Sequence, residues 1–188
     1  MPVFGPAREK IPGRTQAVSG GDRIVVPGID ATFDVIDVPG HTAGHIAYFG
    51  EFGGTPVLFC GDTLFTGGCG RLFEGTPEQM WASLSALGAL PPETRVYCGH
   101  EYTLANLRFA LAVEPASAEL GARNRREQAK RDRGEPTVPS TIALERATNP
   151  FLRAHVPGVR AAAAAHAGHA LADDVASFAA LREWKNTF

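Results

Sequence analysis

The 188-residue sequence has no apolar run near the ~18 residues that a membrane-crossing helix requires, and its first twenty residues lack the apolar stretch of a secretory leader. Neither sign of charge dominates. Eighteen Lys and Arg against twenty Asp and Glu leave a formal charge of −2, so no overall field favours nucleic acid or anionic lipid. Cysteine is scarce: Cys60, Cys69 and Cys98 are an odd number without a Cys-x-x-Cys pair, which argues against a disulfide framework and a cysteine-only zinc site. There is no internal repeat, and none of the six histidines precedes His41. These absences point to a cytoplasmic protein without a nucleic-acid or membrane partner.

What remains suits a globular fold. Hydrophobic residues make up 44% and charged residues 20% of the chain. At this length about 70% of the unfolded surface can be buried. The first third reads as short strands broken by Gly and Pro: Ile24 to Val26, Thr32 to Asp37, Ile46 to Phe49 and Val57 to Phe59. Thr76-Pro77-Glu78-Gln79 is a helix start with a capping box, and Met80, Trp81, Leu84 and Leu87 fall on one face of the helix that ends near Gly88. A strand over Arg95 to Cys98 follows, then helices over Tyr102 to Val113 and Ser117 to Arg133. An alanine-rich helix near Arg160 and a last helix from Asp173 to Asn186 complete the chain. The basic run from Arg123 to Arg133 reads as a solvated helix face. The class is α/β or α+β with a helical annex.

Three segments share one design: a strand ends, the chain turns on glycine, and a side chain able to bind metal follows. They are Pro39-Gly40-His41, Cys60-Gly61-Asp62 and Cys98-Gly99-His100. Glycine permits the tight turn that brings the next residue to the rim of a sheet. Two imidazoles and a carboxylate are donors that zinc, iron or manganese accepts. His45, beside the first turn, reads as a supporting residue; His166 and His169 lie three apart on the alanine-rich helix without a nearby carboxylate. The cysteines read as small packing residues.

The segments DVPGHTAGHIAYF, LFCGDTLFTGGCGRLFEGTPEQM, VYCGHEYTLANLRFALAVEP, TNPFLR and LREWKNTF together resemble glyoxalase II, the hydroxyacylglutathione hydrolases of the metallo-β-lactamase fold. The resemblance runs from Val3 to Phe188. It implies a partial αββα sandwich over residues 1–115 and a helical substrate-binding domain over 116–188. The implied activity is hydrolysis of S-D-lactoylglutathione to D-lactate and glutathione by a two-metal, usually zinc, site. Matched residue by residue, His41 is expected on one metal and His100 on the other, with Asp62 as the catalytic bridging carboxylate. Arg71, Phe73, Tyr102, Arg182 and Lys185 are expected to hold the glutathione thioester. Arg182 and Lys185 lie three apart, so they share a helix face and can meet one anion.

The sequence departs from the family in one respect. The Thr-His-x-His-x-Asp-His motif, which supplies four of the seven metal ligands, does not occur. The expectation is a family member lacking its N-terminal portion, with Ile24, Val26, Phe33 and Val35 left facing water or another chain. Self-association or completion by a missing segment would follow. Two alternatives stand beside hydrolysis: a non-catalytic glutathione-binding remnant, and a protein resembling the mononuclear-iron persulfide dioxygenases. Separately, a single metal held by His41, Asp62 and His100 would form a two-histidine-one-carboxylate arrangement, for which the two histidines would have to move toward each other.

Overall fold

The computed structural model describes residues 1–29 and 31–188. A short parallel pair, β1 (Phe4–Pro6) and β2 (Gln16–Val18), precedes a hairpin series of β3 (Arg23–Val25), β4 (Thr32–Asp37), β5 (Ile46–Phe52) and β6 (Thr55–Gly61). The small hairpin β7 (Leu64–Phe65) and β8 (Gly68–Cys69) leads into helix α1 (Pro77–Gly88) and strand β9 (Arg95–Cys98). The rest is helical: α2 (Thr103–Val113), α3 (Ala118–Asp132), α4 (Ile142–Thr148), α5 (Pro157–Ala167) and α6 (Asp174–Thr187), with β10 (Ser140–Thr141) just before α4. Six strands form one sheet in the order β10-β9-β6-β5-β4-β3.

Direction within this sheet positions the site. β5 is antiparallel to both β4 and β6, and β9 is parallel to β6. The carboxyl ends of β4, β6 and β9 therefore reach the same rim, and the three glycine turns leave from it.

Side chains alternate across the sheet because successive residues of a strand point to opposite faces. Ala47, Leu58, Cys60 and Val96 point one way and are fully buried under α1, α2, α4, α5 and α6, which contribute Leu84, Phe109, Ile142, Val159 and Phe178 to the same core. Phe33, Val35, Ile46 and Val57 point the other way, and no helix covers them. The expectation that Ile24, Phe33 and Val35 face water needs correction: all three are buried, and Val26 is half-buried. They pack on one another and on Val18, Ala31, Ile46 and Val57, with Phe4 and Tyr48 against the cluster. The opening that persists on this face is an apolar groove of about 590 Å³ that includes Phe52 and Phe59.

Helix α1 starts as expected, with the Thr76 side chain accepting from Gln79 N and the Gln79 side chain from Thr76 N. The basic helix α3 differs from its reading as a solvated face. Arg123 is 1% exposed and its guanidinium meets Glu145, Ser140 and Thr148, because α3 packs against α4 at that point. Helix α4 itself, capped by the Thr141 side chain on Leu144 N, was not expected. Seven residues are too few to display a helical period.

Candidate functional site

His41 follows β4, Asp62 follows β6 and His100 follows β9, so one residue of each turn stands at the common rim. The parallel neighbours continue past their ends through Gly99 N donating to Gly61 O at 2.8 Å, which sets Asp62 beside His100. Glycine at 99 leaves the Asp62 carboxylate room: a Cβ there would lie 2.6 Å from Oδ1 and push it aside.

The Asp62 carboxylate lies between the two imidazoles. Its Oδ2 is 3.5 Å from His41 Nε2 and its Oδ1 is 3.6 Å from His100 Nε2. Both separations exceed hydrogen-bond lengths, and Asp62 Oδ1 is a buried oxygen with no partner. His41 Nδ1 is 2.9 Å from Arg71 O. A carbonyl only accepts, so Nδ1 carries the proton and the Nε2 lone pair points to the carboxylate side. The neighbouring His45 takes another role: its Nε2 accepts from Asp62 N at 3.3 Å, and burial followed by the proximity of His41 lowers its pKa.

This donor set is of a kind that binds metal: an unpartnered buried carboxylate oxygen and two imidazole nitrogens are held near one another but not hydrogen-bonded. Among the described residues, no three His, Cys, Asp or Glu side chains converge on a single point. Each imidazole faces a different oxygen of Asp62.

All eight residues singled out in the sequence line one cleft of about 630 Å³. Phe73 lies against the His41 ring, centroids 4.9 Å apart, and Tyr102 stacks on His100 at 5.1 Å. Lys185 Nζ donates to Ala105 O at 3.2 Å and sits over the rings of Phe109 and Phe188. Burial lowers the Lys185 pKa first, and the guanidiniums of Arg182, Arg108 and Arg71 lower it further. Cations thus gather at one end of the cleft. Arg182 lines the cleft but is itself buried: it donates to Cys69 O at 2.9 Å and lies over the Phe151 ring.

Burial pushes the thiols of Cys60, Cys69 and Cys98 up, as suits packing residues. His166 lies flat on Trp184, centroids 4.2 Å apart. Sequence reasoning missed Asn106, Glu145 and Asn149, which reach the β7–β8 hairpin beside the cleft. Asn106 lies in VYCGHEYTLANLRFALAVEP and Asn149 in TNPFLR, segments that carried resemblance, but amide side chains do not announce chemistry, and Glu145 lies in neither segment.

Residues 10–100 match the metallo-β-lactamase superfamily, and residues 101–188 match the family described as hydroxyacylglutathione hydrolase C-terminus. A hydroxyacylglutathione hydrolase of Cupriavidus taiwanensis is 59% identical over 100% of this chain, which spans 71% of that protein. Another, from Alkalilimnicola ehrlichii, is 60% identical over 99% of the chain and again 71% of the relative. Among solved structures, ETHE1 from Myxococcus xanthus superposes with a TM-score of 0.53 at 27% identity, covering 79% of this chain and 50% of that one. Identity of this degree along the full 188 residues leaves one assignment: the chain belongs to the hydroxyacylglutathione hydrolase family.

Proposed function

We propose that the cleft binds a glutathione thioester, S-D-lactoylglutathione in the first instance, and that His41, Asp62 and His100 are the chain's contribution to a two-zinc hydrolytic centre. The observation that carries this reading is the Asp62 carboxylate set between two imidazoles, one oxygen toward each, in the wall of a cleft whose other end is cationic. When bound, the metal polarises the thioester carbonyl and acidifies water.

The protein's own residues orient the substrate. Arg71 and Lys185 are the cations that meet the glutathione carboxylates, and the buried Arg182 guanidinium, held on Cys69 O, adds its charge from behind them. Phe73 and Tyr102 flank His41 and His100, so the acyl group enters between two aromatic side chains. Water adds to the carbonyl carbon with its protons passing to solvent, the carbon–sulfur bond breaks to give the carboxylate and the thiolate, and the thiolate leaves without a dedicated acid and is protonated by solvent. On this reading residues 1–115 carry the metal side and 116–188 most of the glutathione side.

A second reading has a specific observation in its favour. His41, Asp62 and His100 are only three donors, whereas Arg71, Tyr102 and Lys185 line the same cleft. Glutathione binding without turnover is the corresponding activity. Calorimetric titration with glutathione, beside thioester hydrolysis assayed with and without zinc, separates the two. Binding that Lys185→Ala weakens at least tenfold supports the shared substrate assignment. Zinc-dependent turnover selects hydrolysis, and the absence of both binding and turnover rejects the proposal.

A further inference from the structure

The β7–β8 hairpin turns through Thr66-Gly67 with no helix of its own, yet four polar side chains from the helical half hold it. Gly67 N donates to Glu145 Oε2 at 2.8 Å. Asn149 Nδ2 lies 2.9 Å from Gly68 O, 3.3 Å from Phe65 O and 3.0 Å from Glu145 Oε2. Asn106 Nδ2 donates to Thr66 O at 3.1 Å, and Arg182 to Cys69 O at 2.9 Å. Glu145 is fixed in turn by Arg123 and Ser140, and every one of these side chains is buried. Arg123 Nε and Arg182 Nε are left unpaired, but the carboxylate and amide groups that touch the hairpin are all paired, and slippage would leave them without partners.

The chain leaving this hairpin runs directly along the His41 turn. Gly70 N donates to Thr63 O at 3.1 Å, and Gly70 passes so close to Asp62 that a Cβ would fall 1.9 Å from its carbonyl oxygen. The Arg71 carbonyl then holds His41 Nδ1, Phe73 N donates to His41 O at 3.2 Å, and Gly75 N donates to Gly40 O at 3.1 Å. The imidazole is thus oriented by a segment whose other end is held from α2, α4 and α6.

We propose that the helical half positions the His41 imidazole, with Asn149 and Glu145 of α4 gripping the β7–β8 hairpin so that the Arg71 carbonyl fixes the ring. Asn149 and Glu145 are positioning residues, since they reach His41 only through residues 65–71. The importance of this coupling for metal binding rests on the reading of His41 as a ligand; the coupling itself does not.

The test is the tautomer of His41, read from long-range nitrogen–proton correlation of the histidine rings at a pH where imidazole is neutral. The unaltered chain is expected to show the Nδ1–H form. In Asn149→Ala that form is expected to give way to a mixture, and the Gly70 amide to exchange with solvent at least tenfold faster, while the His166 ring signals stay as they were. Val159→Ala, a destabilising change buried in α5, is expected to leave His41 untouched. A folded Asn149→Ala protein with the His41 tautomer and Gly70 exchange unchanged overturns the proposal, as does an equal response in Val159→Ala. Asn106→Ala, which removes one uncharged donor from the same hairpin, carries the same readouts if Asn149→Ala does not fold. Zinc affinity measured on the same proteins distinguishes the two ideas: orienting partners of a ligand imidazole are worth roughly ten- to a hundredfold. A His41 response with no loss of zinc affinity supports the coupling and counts against His41 as ligand.

Discussion

The two faces of the six-stranded sheet are written by the same alternation and finish differently. On one face Ala47, Leu58, Cys60 and Val96 are fully buried beneath the helices. On the other, Val35, Phe33 and Val57 are buried largely by their own neighbours, while Phe59 remains 44% exposed between Phe33 and Tyr97. A strand pattern makes both faces apolar, but only a second layer takes the last contacts out of water. The partial cover on the second face comes from the β1–β2 pair, whose Phe4 and Val18 join the cluster.

Leu58 and Phe59 are adjacent in β6 and point to opposite faces, so they test this difference within one strand. Leu58→Ala is expected to cost about 2–5 kcal/mol, the range for truncation in a closed core. Phe59→Ala is expected to cost about 1 kcal/mol, since the larger side chain gives up mainly ring contacts with Tyr97 and Phe33. Urea denaturation of the two variants decides, and equal costs would mean that the second face is as well packed as the first.

The open face also bears on association, because contiguous exposed apolar surface promotes contact between copies. Phe59→Lys is expected to shift the sedimentation profile toward monomer at high concentration, at a stability cost no smaller than the ~1 kcal/mol of Phe59→Ala. Unchanged sedimentation would show that the groove is not a contact between copies.

The dryness of the helix-covered side extends to Lys185 and produces the smallest effect. Its pKa lies below the ordinary lysine value through burial and the nearby guanidiniums, so the ammonium is present at low pH and lost as pH rises through the lowered value. Affinity for glutathione should therefore begin to fall at a lower pH than a surface lysine would dictate, and Lys185→Arg should flatten the profile. Titrations across the alkaline range measure this; identical profiles for the two proteins would separate Lys185 from anion binding.

Much of this architecture is legible in residues that act locally. The capping box at Thr76 and Gln79 starts α1, the alternation of Phe33 and Val35 with polar Thr32 and Asp34 makes a strand, and three Gly-led turns announce three chemically similar rim positions. Short elements escape such reading: β1, β2 and β10 have two or three residues, and α4 has seven, too few for a period to show. Arg123 escapes for another reason. Its burial depends on Glu145, twenty-two positions later, and nothing near Arg123 distinguishes it from the solvated Arg125 or Arg131.

The site divides the same way. The sequence by itself determined the donor types, their glycine turns and the family, because those are properties of contiguous segments. Only the tertiary structure decided that Asp62 presents one oxygen to each imidazole, that Arg182 spends a hydrogen bond on Cys69 O, and that α4 reaches the hairpin leading to Arg71. Those relations join residues 21 to 113 positions apart through strand direction and helix packing, and no local pattern encodes a distance between segments that meet only when the chain folds.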